Sequence, residues 1–278
     1  MTSVDPSALN DARRAAESAL AFWADAGVDL AYADAAVDRL AEGAERLKAK
    51  AAPPPKPLRP PPGPVGVAVI DVSAAVAEAR VRAAEAQDLE ALAAAIAAFD
   101  GCGLKFEGAR QAVFSRGNPA APLMIIGEGP GQEEDARGEP FVGKAGQLLD
   151  RMIAAAGLTD RVFITNTVFW RPAGNRTPSP AEQAVCAPFL ERAIQLVNPK
   201  MLLLAGGASA KSVLKRDEGI LSLRGRWFEW HGEASGLVLP ALPTLHPAFL
   251  LRQPAAKKKA WQDLLTLTER LDRPVRPD

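Results

Sequence analysis

The sequence predicts an α/β fold, a three-layer α/β/α sandwich around a central four-stranded parallel sheet. From residue 123 onwards, short apolar runs of strand length alternate with longer segments of helical pattern. This alternation is typical of a parallel sheet that helices cover on both faces. With 278 residues, of which 48% are hydrophobic, the chain can build one substantial core and carry an appendage.

The N-terminal third is predicted to hold an appendage and a linker. Residues 1–50 are rich in Ala, Asp, Glu and Arg and indicate short helices broken near Gly27, which would serve a protein partner. Residues 51–66 contain eight prolines, a composition that favours an extended, semi-rigid spacer. An Ala-rich helix within 67–98 is predicted to lead into the main domain, residues 99–278.

The main domain is predicted to contain four strands and four helices in alternation. We expect the strands at 123–127, 162–166, 200–205 and 237–245, and the helices at 144–156, 180–197, 208–215 and 257–271.

Charge is distributed unevenly along a chain whose formal net charge is zero. Residues 1–98 hold 10 basic and 14 acidic side chains, a net charge of −4, and residues 99–278 hold 23 and 19, a net charge of +4. A mildly basic domain is compatible with weak, salt-sensitive contact to phosphates.

Targeting features are not evident in the sequence. The chain has no run of 18 apolar residues, and its first residues lack the basic and apolar regions of a signal peptide. We therefore expect a cytoplasmic protein with no membrane partner.

A glycine-rich turn, Gly127 to Gly131, directly follows the apolar residues 123–126 of the first predicted strand. Open α/β sheets bind ligands at the carboxyl ends of their strands, and glycines allow the backbone to approach a ligand closely. The turn lacks both the Lys-Ser/Thr of a phosphate loop and the GxGxxG pattern of a dinucleotide site. Because Glu128 and Phe141 belong to the same segment, the sequence favours a pocket for a flat polar ring such as a base.

Three segments in order resemble the family 4 uracil-DNA glycosylases. The first segment covers residues 127–146 and contains GEGPG, ED, PFVG and AG in that order. The second consists of ITN at 164–166 and RPAGNR at 171–176. The third is HPAFLLR at 246–252. The resemblance covers about residues 99–270. It implies a monomeric enzyme of base-excision repair that cleaves the N-glycosidic bond of uracil in DNA and leaves an abasic site.

The resemblance implies two catalytic residues. Glu128 would orient water or an edge of the sugar, although it could be an ordinary turn carboxylate. His246 would donate to uracil O2 while the base departs as an anion, assisted by backbone N–H groups of the turn; the alternative is a satisfied loop histidine. Many relatives in the superfamily have a water-activating Asp at the position of Gly129, which a glycine cannot replace. Here another residue would activate the water, or the pocket would act mainly by stabilising the transition state electrostatically.

The same resemblance implies that a pocket formed with Gly127 and Gly129 recognises the base. Asn166 ends the second predicted strand, and its amide can both donate to and accept from uracil, whereas an Asn that caps a turn is the ordinary alternative. Phe141 would stack on the flipped base, with a plain core Phe as the alternative.

DNA contact is predicted after the third segment. Arg252, Lys257 and Lys258 would form a basic border next to an intercalating loop that carries the apolar residues 249–251.

The cysteines depart from the family pattern. The family holds a 4Fe-4S cluster with four cysteines, but this chain has only Cys102 and Cys186 at such positions, with Phe99 and Trp170 at the other two. A cluster of this kind ordinarily needs four thiolate ligands. We therefore predict no metal and no cofactor, two free buried thiols, and a hydrophobic plug in the volume of the cluster.

Two other functions remain open. The protein could be a catalytically impaired, nucleic-acid-binding relative of the glycosylases, since the cluster ligands are partly lost. It could also trap uracil DNA covalently, but proteins of that type carry a basic, His-bearing loop, and the corresponding segment 136–139 is short and has no His.

Overall fold

A computed structural model describes residues 71–272 of the chain. All of them belong to the second of two units into which the chain divides, Gly66–Asp278. The appendage and linker predicted for residues 1–66 lie outside the described residues and stay predictions.

The described residues form a six-stranded sheet, and the prediction of an α/β fold is confirmed. The strand order is β1-β3-β2-β4-β6-β5. Four parallel strands make up the centre, and an antiparallel strand flanks them at each edge. The sheet is thus wider than the four strands predicted from the sequence. The strands are β1 (Ser115–Gly117), β2 (Leu123–Gly127), β3 (Val162–Asn166), β4 (Met201–Ala205), β5 (Phe228–His231) and β6 (Val238–Thr244).

Helices connect the strands, and the four predicted in the main domain occur within one residue of their expected bounds. The longest starts where its sequence requires, because the side chain of Ser179 accepts from Glu182 N and Pro180 occupies the first turn. The α-helices are α1 (Val72–Glu85), α2 (Leu89–Ala98), α3 (Gln132–Arg137), α4 (Lys144–Ala155), α5 (Pro180–Val197), α6 (Gly207–Leu214), α7 (Ile220–Leu223), α8 (Pro247–Arg252) and α9 (Lys257–Leu271).

The Ala-rich segment forms two helices, so the prediction of a single helix within 67–98 was wrong. The second helix starts anew at Asp88, whose carboxylate accepts from Ala91 N at 2.8 Å. The first buries Ala75, Ala79 and Ala83, spaced by four residues, and packs on α5. These helices are therefore part of the core and do more than lead into it.

The two faces of the sheet are covered by different helices, as a three-layer sandwich requires. On β2, Met124 and Ile126 pack into the cluster that holds α1, α2 and α5, while Leu123 and Ile125 pack into the cluster that holds α4 and α9. Within the described part of the chain, no helix is long and apolar enough to cross a membrane.

The carboxyl ends of the parallel strands define the edge that matters for function. Strand register places Gly127 beside Asn166, and Ala205 beside Thr244. His246 follows β6 at this edge. The fold thus brings predicted site residues of all three segments to the edge formed by the carboxyl ends of the strands.

Candidate active site

Gly127, Phe141 and Asn166 meet at the end of β2. A Cβ atom placed on Gly127 would lie 2.4 Å from Asn166 Oδ1 and 2.5 Å from Phe141 Cζ. Only a glycine leaves room for both side chains. The structure therefore joins three residues that the sequence predicted to share a pocket.

Asn166 carries an unsatisfied acceptor. The residue is 1% exposed, and its Oδ1 is the one buried side-chain N or O atom in residues 71–272 that has no hydrogen-bond partner. Leaving such a group unpaired costs about 1–3 kcal/mol. A ligand that donates a hydrogen bond to Oδ1 would recover this energy.

Phe141 is held in a strained conformation by residues that the sequence analysis missed. Its φ of 56° lies in the left-handed region, which is unusual for a bulky residue. Arg116 on β1 donates to the carbonyl oxygens of Pro140 and Phe141 at 2.8 and 3.1 Å, and to Asp150 at 2.6 Å. Gly146 makes space for the turn, since a Cβ there would lie 1.6 Å from Phe141 O.

Glu134 links the two loops that form the pocket. One carboxylate oxygen accepts from Val142 N and Gly143 N at 3.0 and 2.9 Å, and the other accepts from Gly131 N at 3.1 Å. These three amides are therefore not free to bind a departing anion. Stabilisation by backbone N–H groups, as predicted from the sequence, would have to come from other amides of the turn.

The turn itself is tightly packed beside Glu128. Thr167 N donates to Gly127 O at 3.0 Å, and Thr167 Oγ1 donates to Glu128 O at 2.6 Å, which fixes the backbone while Glu128 stays half-buried. A Cβ on Gly129 would lie 2.8 Å from Val168 Cγ2. A water-activating carboxylate at position 129 would thus require Val168 to move.

His246 lies against Phe141 and is poised as a donor. The two rings stack with centroids 5.7 Å apart and planes at 29°. His246 Nδ1 accepts from Ala248 N at 3.1 Å at the start of α8, so the neutral ring carries its proton on Nε2. Burial, assisted by the positive charge of Arg252, lowers the pKa of His246 from 6.5 to about 4. The side chain is therefore neutral at physiological pH.

Gly206, which the sequence analysis also missed, makes room for His246. It directly follows β4 with a φ of 100°, and a Cβ there would lie 2.9 Å from His246 Cβ and 3.2 Å from His246 Cδ2. The sequence signal was the glycine directly after an apolar strand.

We expect Gly206→Ala to lower the single-turnover rate of the enzyme proposed below by at least about tenfold, because the methyl group would displace the imidazole by a fraction of an ångström. The neighbouring Gly207→Ala is a matched control, since its nearest contact would be an ordinary 3.6 Å to Ile220 Cβ. Circular dichroism and rapid-quench kinetics on both variants would check this. Equal rates for the two variants would contradict a positioning role for Gly206.

The predicted intercalating loop is in fact helix α8, and one of its apolar residues is unavailable. Leu250 is fully buried with Leu148, Leu245 and Ala260, whereas Leu251 is 40% exposed. The expectation that all three apolar residues form a wedge was therefore wrong, because the helical turn points Leu250 into the core.

Arg252, Lys257 and Lys258 are exposed, as a DNA contact requires. The two lysines begin α9, where the helix dipole disfavours positive charge. Their placement does not favour helix stability and is compatible with a role in binding an anionic partner.

The two cysteines contact each other. Cys186 Sγ donates to Cys102 Sγ at 4.0 Å, and both thiols are buried and free. This hydrogen bond lowers the pKa of Cys102, and the same bond together with burial raises the pKa of Cys186.

The residues around the thiols do not fit the cluster that the resemblance implies. Phe99 and Trp170 are almost fully buried, and the Phe99 ring packs edge-on against Phe189 with centroids 5.2 Å apart. A Cβ on Gly101 would lie 2.4 Å from Phe99 Cζ, so the loop is built around this ring. Across residues 71–272, no three His, Cys, Asp or Glu side chains are grouped so that they could hold a metal ion.

Gly127, Phe141, Asn166 and His246 thus gather at the carboxyl ends of the parallel strands of an α/β/α sandwich. Residues 114–265 match the family model described as the Uracil DNA glycosylase superfamily. The chain belongs to this superfamily, which confirms the family predicted from the three segments.

The most similar relatives include several proteins named Type-4 uracil-DNA glycosylase. The chain is 37% identical to that of Saccharolobus solfataricus over 191 residues, which cover 66% of this chain and 87% of the relative. It is 38% identical to that of Sulfurisphaera tokodaii over 164 residues (57% and 74%). It is 37% identical to that of Pyrobaculum aerophilum over 183 residues (64% and 91%).

Proposed function

We propose that this protein is a uracil-DNA glycosylase of base-excision repair, which hydrolyses the N-glycosidic bond of uracil in DNA and leaves an abasic site. The observation that carries the proposal is the unpaired, buried Oδ1 of Asn166 beside Phe141. It lies in a chain of the superfamily whose similar relatives are type-4 enzymes.

Asn166 would read the base after it is flipped out of the DNA. Uracil N3–H would donate to Oδ1, and the amide Nδ2 would donate to uracil O4. Cytosine has an acceptor at N3 and an amine at C4, so it would leave Oδ1 unpaired. Phe141 would form the wall on which the base stacks, a contact of roughly 1–3 kcal/mol.

His246 would act when the bond breaks. As the C1′–N1 bond lengthens, positive charge develops on the sugar and negative charge on uracil, and His246 Nε2–H would donate to O2. Because this hydrogen bond strengthens as charge grows, it stabilises the transition state more than the ground state. Glu128 would orient the water that adds to C1′, this water would release a proton, and uracil N1 would retain the electron pair of the broken C1′–N1 bond.

The exposed basic residues would bind the DNA backbone. We expect Lys257→Ala combined with Lys258→Ala to weaken DNA affinity and to lower the slope of log K against log salt by about 1–2, since each phosphate contact releases condensed counterions. Single-turnover rates at saturating enzyme should stay within about twofold, because neither lysine touches the reacting atoms.

Lys200→Ala is the matched control for this experiment, because Lys200 is exposed directly before β4, at the opposite end of the strands. Fluorescence anisotropy at several salt concentrations would measure both variants. An equal loss of affinity in both would contradict a specific contact at the start of α9.

We also propose that the protein works without an iron–sulfur cluster, supported by the aromatic residues packed beside only two thiols. Protein purified without oxygen should be colourless and should contain far less than stoichiometric iron. Atomic absorption and visible spectra would check this, and four iron atoms per chain with charge-transfer absorbance would refute it.

A catalytically impaired nucleic-acid-binding protein is the alternative function. Abasic-site formation on a uracil-containing oligonucleotide, compared with the same strand carrying cytosine, distinguishes the two. Binding without cleavage would favour the alternative, and a heat-stable protein–DNA adduct would indicate covalent trapping.

We further propose that the protein acts as a cytoplasmic monomer and that residues 1–50 bind a protein partner. A chain that starts at Gly66 should remain folded and active, since the described elements all follow that residue. Light scattering on the full chain would test the monomeric state, which a dimer would contradict. Activity assays on the full chain and on the chain that starts at Gly66 would test the role of the first residues, and an inactive shorter chain would contradict it.

A further inference from the structure

Cys102 and Cys186 lie far apart in the sequence but touch in the fold. Their sulfur atoms are 4.0 Å apart across 84 sequence positions. Cys186 belongs to α5, and Cys102 precedes the short 3-10 turn Gly103–Phe106. Nothing in the proposed glycosylase mechanism uses either thiol.

We propose that this pair is an oxidative modification site, which forms an intramolecular disulfide when the protein meets a small hydroperoxide. The sulfurs would have to approach from 4.0 Å to the disulfide length of about 2.05 Å, a shift within the reach of side-chain rotation and small backbone adjustment. The neighbouring aromatic side chains offer no ligand that would compete for either thiol.

Cys102 is the thiol that the oxidant would reach first. It is buried, but the turn that follows it ends at the surface, where Phe106 and Glu107 are exposed. Cys186 is fully buried within α5. A small oxidant is required, because a bulky disulfide could not reach either sulfur.

The reaction proceeds in two balanced steps. Cys102 thiolate attacks the terminal oxygen of the hydroperoxide, the O–O bond breaks, and a sulfenic acid and one alcohol or water molecule form. Cys186 sulfur then attacks the sulfenic sulfur, the S–O bond breaks, and water leaves. Two thiols are oxidised to one disulfide while one hydroperoxide is reduced.

The disulfide would tie the 3-10 turn to α5 next to the candidate site. Glu107, just after the turn, accepts from Arg176 at 2.9 Å, and Arg176 also pairs with Glu182 on α5. Arg176 ends the RPAGNR segment, whose Pro172 approaches the position of Gly129. The crosslink would therefore stabilise a loop that borders the pocket, and would restrict the unfolded chain.

The test treats the full-length wild-type protein with hydrogen peroxide, then alkylates it under denaturing conditions and maps its peptides by mass spectrometry. We expect loss of both thiols, a crosslinked peptide pair containing Cys102 and Cys186, and reversal by dithiothreitol. The melting temperature should rise by roughly 5–15 °C.

Cys102→Ser and Cys186→Ser are matched controls, because each leaves one thiol and should show no rise in melting temperature. If either variant fails to fold, the wild-type peptide map still decides. Two unmodified thiols after peroxide treatment, or sulfinic acids on uncrosslinked peptides, would overturn the proposal.

Discussion

Replacing His246 with alanine should lower the single-turnover rate of uracil excision by about 100- to 1000-fold, the loss typical of removing one donor to a developing anion. The reason is chemical: Nδ1 accepts from Ala248 N, so the neutral imidazole carries its proton on Nε2 and can donate from there. DNA affinity should change little, because the interaction forms mainly in the transition state.

Rapid-quench kinetics at saturating enzyme, together with anisotropy of an uncleaved analogue, would separate rate from affinity. His246→Gln keeps an N–H donor and should recover part of the rate. An unchanged rate in His246→Ala would remove this residue from the mechanism and leave Glu128 as the remaining catalytic candidate.

The pH dependence of the rate offers an independent check. Because the pKa of His246 is lowered from 6.5 to about 4, the wild-type rate should show no step near pH 6.5.

The lowered pKa of His246 also makes the stability of the folded protein depend on pH. Between pH 6.5 and 4 the unfolded chain binds a proton at His246 that the folded protein does not. The contribution of His246 to the free energy of unfolding is therefore lost as pH falls through this range. His246→Ala should therefore reduce the loss of melting temperature between pH 7 and 5.

Replacing Asn166 with aspartate should lower uracil excision by about 100-fold or more, since sites built to hydrogen-bond a substrate reject mismatched groups strongly. An ionised carboxylate accepts only, so it offers no donor to uracil O4 and adds negative charge beside a departing anion. Cytosine presents an amine at that position, so the preference for uracil over cytosine should fall.

Single-turnover rates on matched uracil and cytosine strands would measure this change. Asn198→Asp is a control that makes the same replacement at the C-terminal end of α5, before β4. Full uracil activity and unchanged selectivity in Asn166→Asp would show that Asn166 does not read the base.

The central fold could be predicted because its elements are buried and regular. All five residues of β2, β3 and β4 are buried, so each strand carries a run of at least three consecutive apolar residues, which in β3 ends before Thr165. The edge strands β1 and β5 are three and four residues long and partly exposed, so no periodic pattern marks them. The break between α1 and α2 was hidden by an alanine content that favours helix on both sides.

The site could be predicted only where a residue acts through its own chemistry. Asn166, Phe141 and His246 belong to recognisable segments, and the structure brings them together. Arg116 acts through Phe141, 25 positions away, and Gly206 through His246, 40 positions away. Periodicity in the sequence does not predict contacts between residues so far apart. Leu250 was misplaced because its burial depends on packing between three elements.

The most direct test of the account measures uracil excision and iron content on the same preparation. Wild-type protein whose iron is far below one cluster per chain should convert a uracil-containing strand to abasic product in a single turnover and leave the cytosine strand intact. A preparation that binds uracil DNA without forming abasic sites, or whose rate rises in proportion to its bound iron, would contradict it.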